Sequence, residues 1–324
     1  MSAPMSAPLR FGILGCARIV RRALATAIRD SGMAEIRAIA SRDGEKAKAW
    51  ADEYEIPAAY DSYEAVLADS QVDAVYVPMP NELHKPWVIA AAAAGKHVLC
   101  EKPMALNSAE GEEMVAACQE AGVVLMDAFM WRHHPRVTHA RKLIADGRLG
   151  RLQLVNVDFS FVIGLDDWRL DPERGGGALY DLGCYGVNAA RLFFDAEPEE
   201  ILARSRFHET GVDMTLATTM RFSDDRLAQI NCSFELPSRC RLELVGTQGI
   251  LELPGGFQPA ESPQLVLTDD EGTETLDFSG HDQYTEQIKI FCQSVAQGKL
   301  VAPAENGLAN LRVIEAVLAA ARRE

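Results

Sequence analysis

The chain has 324 residues, 48% of them hydrophobic and 24% charged. That balance excludes a disordered chain or a disulfide-stapled miniprotein and provides for about two domains of roughly 150 residues each. Its 32 basic and 47 acidic residues leave a net charge of −15, which argues against nucleic acid as a partner because phosphate backbones are held by basic surfaces.

The N-terminal MSAPMSAPLRF has no basic stretch followed by an apolar one, so no secretory leader is expected and the default location is cytoplasmic. Its repeat makes either Met1 or Met5 a candidate start, and Met1 to Pro8 reads as a disordered tail. Arg10 to Gly15 is the first strand, followed by helical spacing from Ile19 to Arg29, a strand from Glu35 to Ser41, and helices from Gly44 to Tyr54 and Ser62 to Ala68. Val72 to Pro78 is a buried strand. A helix from Leu83 to Ala94 follows, and its apolar run from Trp87 to Gly95 is under half the roughly 20 residues that cross a bilayer. Then come the strand His97 to Pro103, a helix from Ser108 to Ala121 and the run VVLMDAF. Gly95 and Gly122 stand where helices end in a left-handed residue. Strand, crossover and helix repeat about every 30 residues, the pattern of a parallel sheet covered by helices.

Beyond Phe129 the pattern changes. After a helix from Pro135 to Asp146, strands fit Leu152 to Phe161, Ile201 to Phe207, Met214 to Phe222, Leu227 to Phe234, Arg239 to Val245 and Ile250 to Leu253. Their period-two alternation predicts a mostly antiparallel sheet with one face covered by the helices Cys184 to Phe194 and Tyr284 to Ala296, and the other free for a partner. A last helix, Leu308 to Arg323, is expected to pack back on the first domain. The fold class is therefore α/β followed by α+β. Seven scattered cysteines, Cys16, Cys100, Cys118, Cys184, Cys232, Cys240 and Cys292, show no C-x-x-C spacing and read as reduced thiols.

Gly12, Gly15 and Ala17 follow the first strand and open a helix, so backbone N–H groups there can face a pyrophosphate. A tight strand-to-helix turn is the plainer alternative. At the end of the second strand, where an acid would hold a free ribose 2′-hydroxyl, stand Ser41 and Arg42, with Lys46 one turn on. A hydroxyl beside a guanidinium suits a 2′-phosphate, so NADP is expected over NAD, with Asp43 as the dissenting residue. Further along, Lys102 of the EKP tripeptide ends a parallel strand, where ligands of such sheets gather. The run GGGALYDLGCYGVN from Gly175 to Asn188 places Asp181 and Tyr185 four residues apart. Asp181 either holds a substrate hydroxyl or caps a helix. Trp168 and Arg169 offer a stacking face and a donor, or anchor the surface. His133 and His134 line the cleft or pack inside, and Tyr284 and His281 are weaker candidates. No metal constellation appears in the sequence.

These pieces together, GILGCARI, ASR, VDAVYVPMPNELH, AAAAGKHVLCEKP, FMWRHHP, GGGALYDLGCYGVN and HDQY, resemble the glucose-fructose oxidoreductase and inositol dehydrogenase family, Gfo/Idh/MocA, from Leu9 to Arg323. The resemblance implies a Rossmann domain over 9–128 and a substrate-binding α+β domain over 129–324 whose open sheet forms a homodimer or a dimer of dimers. It implies hydride transfer between NADP, or NAD, and a sugar, polyol or ketosugar. It sets Cys16, Arg18, Ile19, Pro78, Asn81, His84, Glu101 and Lys102 on the cofactor with the residues above, and implies a cis Lys102–Pro103 peptide.

The D-x-x-x-H of inositol dehydrogenases falls on Asp181 and Tyr185. Tyrosine there resembles the subgroup of D-xylose dehydrogenases, dihydrodiol dehydrogenases and sugar ketoreductases. A phenol of ordinary pKa near 10 needs a cation to act as a base, and Lys102 would supply it. The expectation is an NADP-dependent aldose 1-dehydrogenase giving a lactone from D-xylose or D-glucose. A ketosugar, nucleotide-sugar or dihydrodiol enzyme is the first alternative, and a non-catalytic NADP-sensing regulator is the second.

Overall fold

The computed structural model describes residues 7–298 and 304–323. Most of the tail expected to be disordered, Met1 to Ser6, lies outside the described residues. Six strands and five helices come first: β1 Leu9–Leu14, α1 Ala25–Ser31, β2 Ala34–Ala40, α2 Gly44–Tyr54, β3 Ala58–Tyr60, α3 Tyr63–Ala68, β4 Ala74–Val77, α4 His84–Ala93, β5 His97–Cys100, α5 Ser108–Glu120 and β6 Leu125–Asp127. Then follow α6 Pro135–Ala145, β7 Leu152–Ser160, α7 Cys184–Phe194, β8 Glu200–Phe207, β9 Asp213–Arg221, β10 Leu227–Ser233, β11 Arg239–Gly246, β12 Gly249–Leu253, β13 Gln264–Asp269 and β14 Gly272–Asp277. The last two helices are α8 Gln283–Gln297 and α9 Ala304–Ala321.

The chain falls into two compact units. The first is built from the chain up to His133 with Asp282–Ala309, the second from His134–His281 with the chain from Asn310 onward. In the first, six parallel strands lie in the order β3-β2-β1-β4-β5-β6. The strand order reverses between β1 and β4, the point where such sheets open to ligands at their C-terminal ends. Helix starts are fixed by short polar side chains: Asp43, Ser62 and Asn107 accept the amides of Lys46, Ala65 and Glu110 at the heads of α2, α3 and α5.

Helix α8 overturns an expectation. It does not cover the second sheet but packs on α1, and its Ile288, Phe291 and Cys292 are wholly buried in the core of the first unit. Phe291 meets Phe11 of β1 at 5.4 Å between ring centroids. Its apolar face is amphipathic in sequence, but nothing local tells which sheet that face will meet.

In the second unit eight strands lie in the order β14-β13-β12-β11-β7-β10-β9-β8, antiparallel except for β7 beside β10, so the sheet is mixed. Helix α7 covers one face, as expected. Its approach is close: a Cβ on Gly186 would lie 2.6 Å from Ile230 and 3.1 Å from Val157. The opposite face is polar and concave, enclosing about 680 Å³. There Asp158 accepts from Asn231 at 3.1 Å and from Arg239 at 2.6 Å, and Asn156 donates to Glu243 at 2.7 Å. Among the described residues no helix is long and apolar enough to cross a membrane, and all seven cysteines are free thiols.

Candidate active site

The nucleotide turn is shaped by what its glycines leave out. At Gly12 a Cβ would lie 2.4 Å from Val66 of α3, so the glycine lets helix and strand meet. Gly15 has φ +122°, and its missing Cβ would find only the Tyr63 hydroxyl at 3.9 Å. Space above a left-handed glycine is what a backbone needs to approach a diphosphate. From Cys16 to Ile19 the chain runs into a π-helical turn, Val20–Leu24, continuous with α1, and the first amides of a helix have no partners within it. These residues fit a dinucleotide. Arg18 is exposed, Cys16, Ala17 and Ile19 half-buried. Burial pushes the Cys16 thiol up, which keeps it protonated.

At the end of β2, Ser41 accepts the Asp43 amide at 3.2 Å. The Asp43 carboxylate in turn accepts the Lys46 amide at 3.1 Å and so caps α2. The acid expected to disfavour a 2′-phosphate is thereby committed to a helix end, while Arg42 and Lys46 remain exposed.

At the end of β5, Lys102 is half-buried and joined to Pro103 by a cis peptide. The wholly buried Tyr76 hydroxyl donates to Glu101 Oε1 at 2.5 Å, and burial followed by the Glu101 charge holds its pKa well above the phenol range. Glu101 Oε2 accepts the Lys102 amide at 3.3 Å. Tyr284 of α8 joins this group: burial and the Glu101 charge raise its pKa, while Arg22, 3.4 Å from its hydroxyl, and Lys102 oppose that. The first unit thus brings Tyr284 close to Lys102, which its weaker standing in the sequence did not suggest.

His84 lies in the interior of the first unit. It is fully buried, with Nδ1 3.0 Å from the Pro103 carbonyl and 3.2 Å from that of Met104, and Nε2 2.7 Å from the Met79 carbonyl. It braces the loop behind Lys102 and has no face for a cofactor. Pro78 and Asn81 are buried beside it at the end of β4. Burial, then the Arg132 charge, lowers His133 to about 3, so its imidazole stays neutral.

In the second unit a glycine turn leads into a π-helical turn, Leu179–Gly183, and then α7. Asp181 accepts from Arg169 Nε at 2.7 Å, and Arg169 Nη1 reaches both oxygens of Asp167 at 3.2 Å. Burial opposes the Arg169 charge, but Asp181 and Asp167 raise its pKa above the usual value. The Trp168 ring lies under two guanidiniums, those of Arg169 at 5.1 Å and Arg174 at 5.4 Å. Another acid meets the head of this helix: Asp213 Oδ2 accepts the Leu179 amide at 2.7 Å.

Tyr185 is 7% exposed. Its ring lies 5.6 Å from that of Phe159 and 5.0 Å from that of Phe257. The loop carrying Phe257 is tied down by the buried Arg136, which donates to the carbonyls of Pro254, at 2.9 Å, and Gly256. Burial lowers Arg136 to about 10.

His134, expected to touch substrate, lies in the interior of the second unit. It is fully buried, its Nδ1 accepts the Arg136 amide at 3.1 Å to cap α6, and its Nε2 donates to the His281 carbonyl at 3.3 Å. His281 itself is exposed. Sequence reasoning missed Asp213, Arg136 and Phe257. An acid at a buried position of an alternating strand was the available signal for Asp213; the other two gave none.

Residues 9–129 match the family model described as oxidoreductase family, NAD-binding Rossmann fold, and residues 137–252 match the GFO/IDH/MocA C-terminal domain. The chain is 38% identical over 314 residues to D-xylose 1-dehydrogenase (NADP(+)) 2 of Haloferax volcanii, covering 95% of this chain and 96% of that one. The crystal structure of an aldose-aldose oxidoreductase from Caulobacter crescentus, complexed with glycerol, superposes with a TM-score of 0.91 at 30% identity, covering 97% of this chain and 98% of that one. A 3-ketoreductase from Actinomadura kijaniata in complex with NADP and TDP-benzene gives a TM-score of 0.88 at 30% identity with the same coverage.

Proposed function

Because this chain belongs to the Gfo/Idh/MocA family of oxidoreductases, we propose that it is an NADP-dependent dehydrogenase oxidising an aldose, D-xylose or D-glucose, at its anomeric carbon to the lactone. When bound, NADP supplies the hydride acceptor. Tyr185 takes the proton of the substrate hydroxyl and Lys102 hydrogen-bonds the reacting oxygen, favouring the phenolate. Asp181 accepts from a second hydroxyl and Trp168 offers a stacking face. The observation that carries this reading is the Asp181–Arg169 ion pair four residues before Tyr185: it fixes an acceptor near a phenol, a pairing suited to a substrate with adjacent hydroxyls. Preference for NADP is supported by the withdrawal of Asp43 into the α2 cap and by the cofactor in the name of the Haloferax volcanii relative.

A second reading, reduction of a ketosugar, including a nucleotide-linked one, is favoured by the likeness to the 3-ketoreductase, and the same residues then run in reverse. The polar concave sheet face supports a homodimer through it, which light scattering tests. Seven free thiols support a cytoplasmic setting.

The deciding experiment incubates the purified protein with NADP or NAD and a panel of aldoses, polyols, diols and ketosugars, following the reduced cofactor. Turnover of an aldose with NADP is expected. Tight NADP binding with no turnover on any of them would assign the protein to regulation instead.

A further inference from the structure

We propose that Asp213 is a positioning residue for the reaction: from the first residue of β9 its carboxylate fixes the glycine turn that carries Asp181 and Tyr185. The proposal rests on the reading above, in which Tyr185 moves the substrate proton.

The geometry is that of a helix cap supplied by a distant strand. Asp213 is 2% exposed and accepts the Leu179 amide at 2.7 Å, and the Ala178 amide and its own also favour its charged form. Its other oxygen occupies the space where a Cβ on Gly177 would stand, 2.3 Å from that position, and Gly177 holds φ +115°. The carboxylate and the glycine are therefore complementary halves of one joint, and the π-helical turn leading to Tyr185 starts from it. Every hydrogen-bond group named here is an N–H, so the joint calls for an acceptor.

Two other ionisable groups face it, Arg322 from the end of the chain and the buried Cys232 of β10. Burial raises the Asp213 carboxyl to about 7, against the pull of the amides and of Arg322. Near neutrality it therefore exchanges a proton, and the protonated form brings an O–H donor into a ring of donors. The sign for stability is opposite to that for activity. A carboxyl raised by folding adds stability that is full below the ordinary aspartate pKa of about 3.9 and is lost as pH rises through about 7.

The test is Asp213→Asn, an isosteric change that puts an NH2 group against those amides. In the wild type kcat should rise along an acid limb with a midpoint near pH 7, while the melting temperature falls between about pH 4 and 7. In the variant kcat should drop about 10- to 100-fold with that limb gone, as expected for a misplaced reacting group, and NADP affinity should be unchanged. A variant within twofold of the wild type that keeps the limb overturns the proposal. Should the variant fail to fold, judged by loss of NADP binding, the wild-type profile decides alone: kcat flat between about pH 5.5 and 8.5 overturns it. Full turnover by Tyr185→Phe would instead remove the functional reading, an outcome independent of what Asp213→Asn does.

Discussion

Both units place a glycine-rich turn before a π-helical turn that opens a helix, at Gly12 to Ala17 and at Gly175 to Gly177. Yet Gly15 of the first turn and Gly176 and Gly177 of the second use a missing side chain for opposite ends. Above Gly15 there is open space, with nothing closer to a notional Cβ than 3.9 Å. Around Gly176 and Gly177 the corresponding space is filled by the protein itself: by the Arg169 carbonyl and by Asp213 Oδ1, each 2.3 Å from the notional Cβ. The first turn makes room for a guest. The second is packed with its own backbone and carboxylate, so it holds side chains in place rather than admitting a ligand. Identical letters in a sequence therefore carry different chemistry, decided by what fills the missing methyl's place.

The sharpest break would come at the residue the second turn carries. Tyr185→Phe should reduce kcat by about 100- to 10,000-fold, the range for removing a general acid or base, with NADP affinity unchanged by equilibrium titration. Gly177→Ala should cost about 2–4 kcal/mol of folding stability, from a strained φ plus overlap with Asp213, read as a lower denaturation midpoint. The matching change in the other unit, Gly15→Ala, should separate the two roles. It should weaken NADP binding more than tenfold, while losing only about 1–2 kcal/mol of stability to backbone strain. If both alanine variants lose stability equally, the contrast between the turns collapses. The smallest effect belongs to Arg42→Ala, which should raise the KM for NADP about tenfold, one charge-assisted hydrogen bond's worth, and leave that for NAD unaltered.

Much of this was legible in the residues because the strands and helices of the first unit are local in origin. Runs such as AVYV and HVLC have no polar face, and Gly95 and Gly122 stop helices by left-handed conformation. Short edge pieces were not legible. Strand β3 has three residues, and β14 is exposed at nearly every position, so neither shows a buried period. Strand β13 does alternate, with Leu265 and Leu267 buried, yet its signal sits in a stretch of turn residues.

In the site, Lys102, Asp181 and Tyr185 announce themselves by motif, whereas His84 and His134 do not declare that their ring nitrogens serve backbone groups. Nothing in the spacing of 34 positions between Leu179 and Asp213 hints that one caps the other. Such pairings arise only when a strand and a turn are brought side by side, and sequence periodicity carries no record of that.

The return of α8 to the first unit has a consequence for biosynthesis. Phe11 emerges from the ribosome early and its partner Phe291 some 280 residues later. At translation rates of about 5–20 residues per second, the β1 surface waits tens of seconds for the side chains that seal it. The eight-stranded sheet is translated in full during that interval. The portion of the molecule begun first thus waits for a helix made after the eight-stranded sheet, and a nascent chain halted before Ile288 would display an unsealed apolar groove to chaperones and proteases.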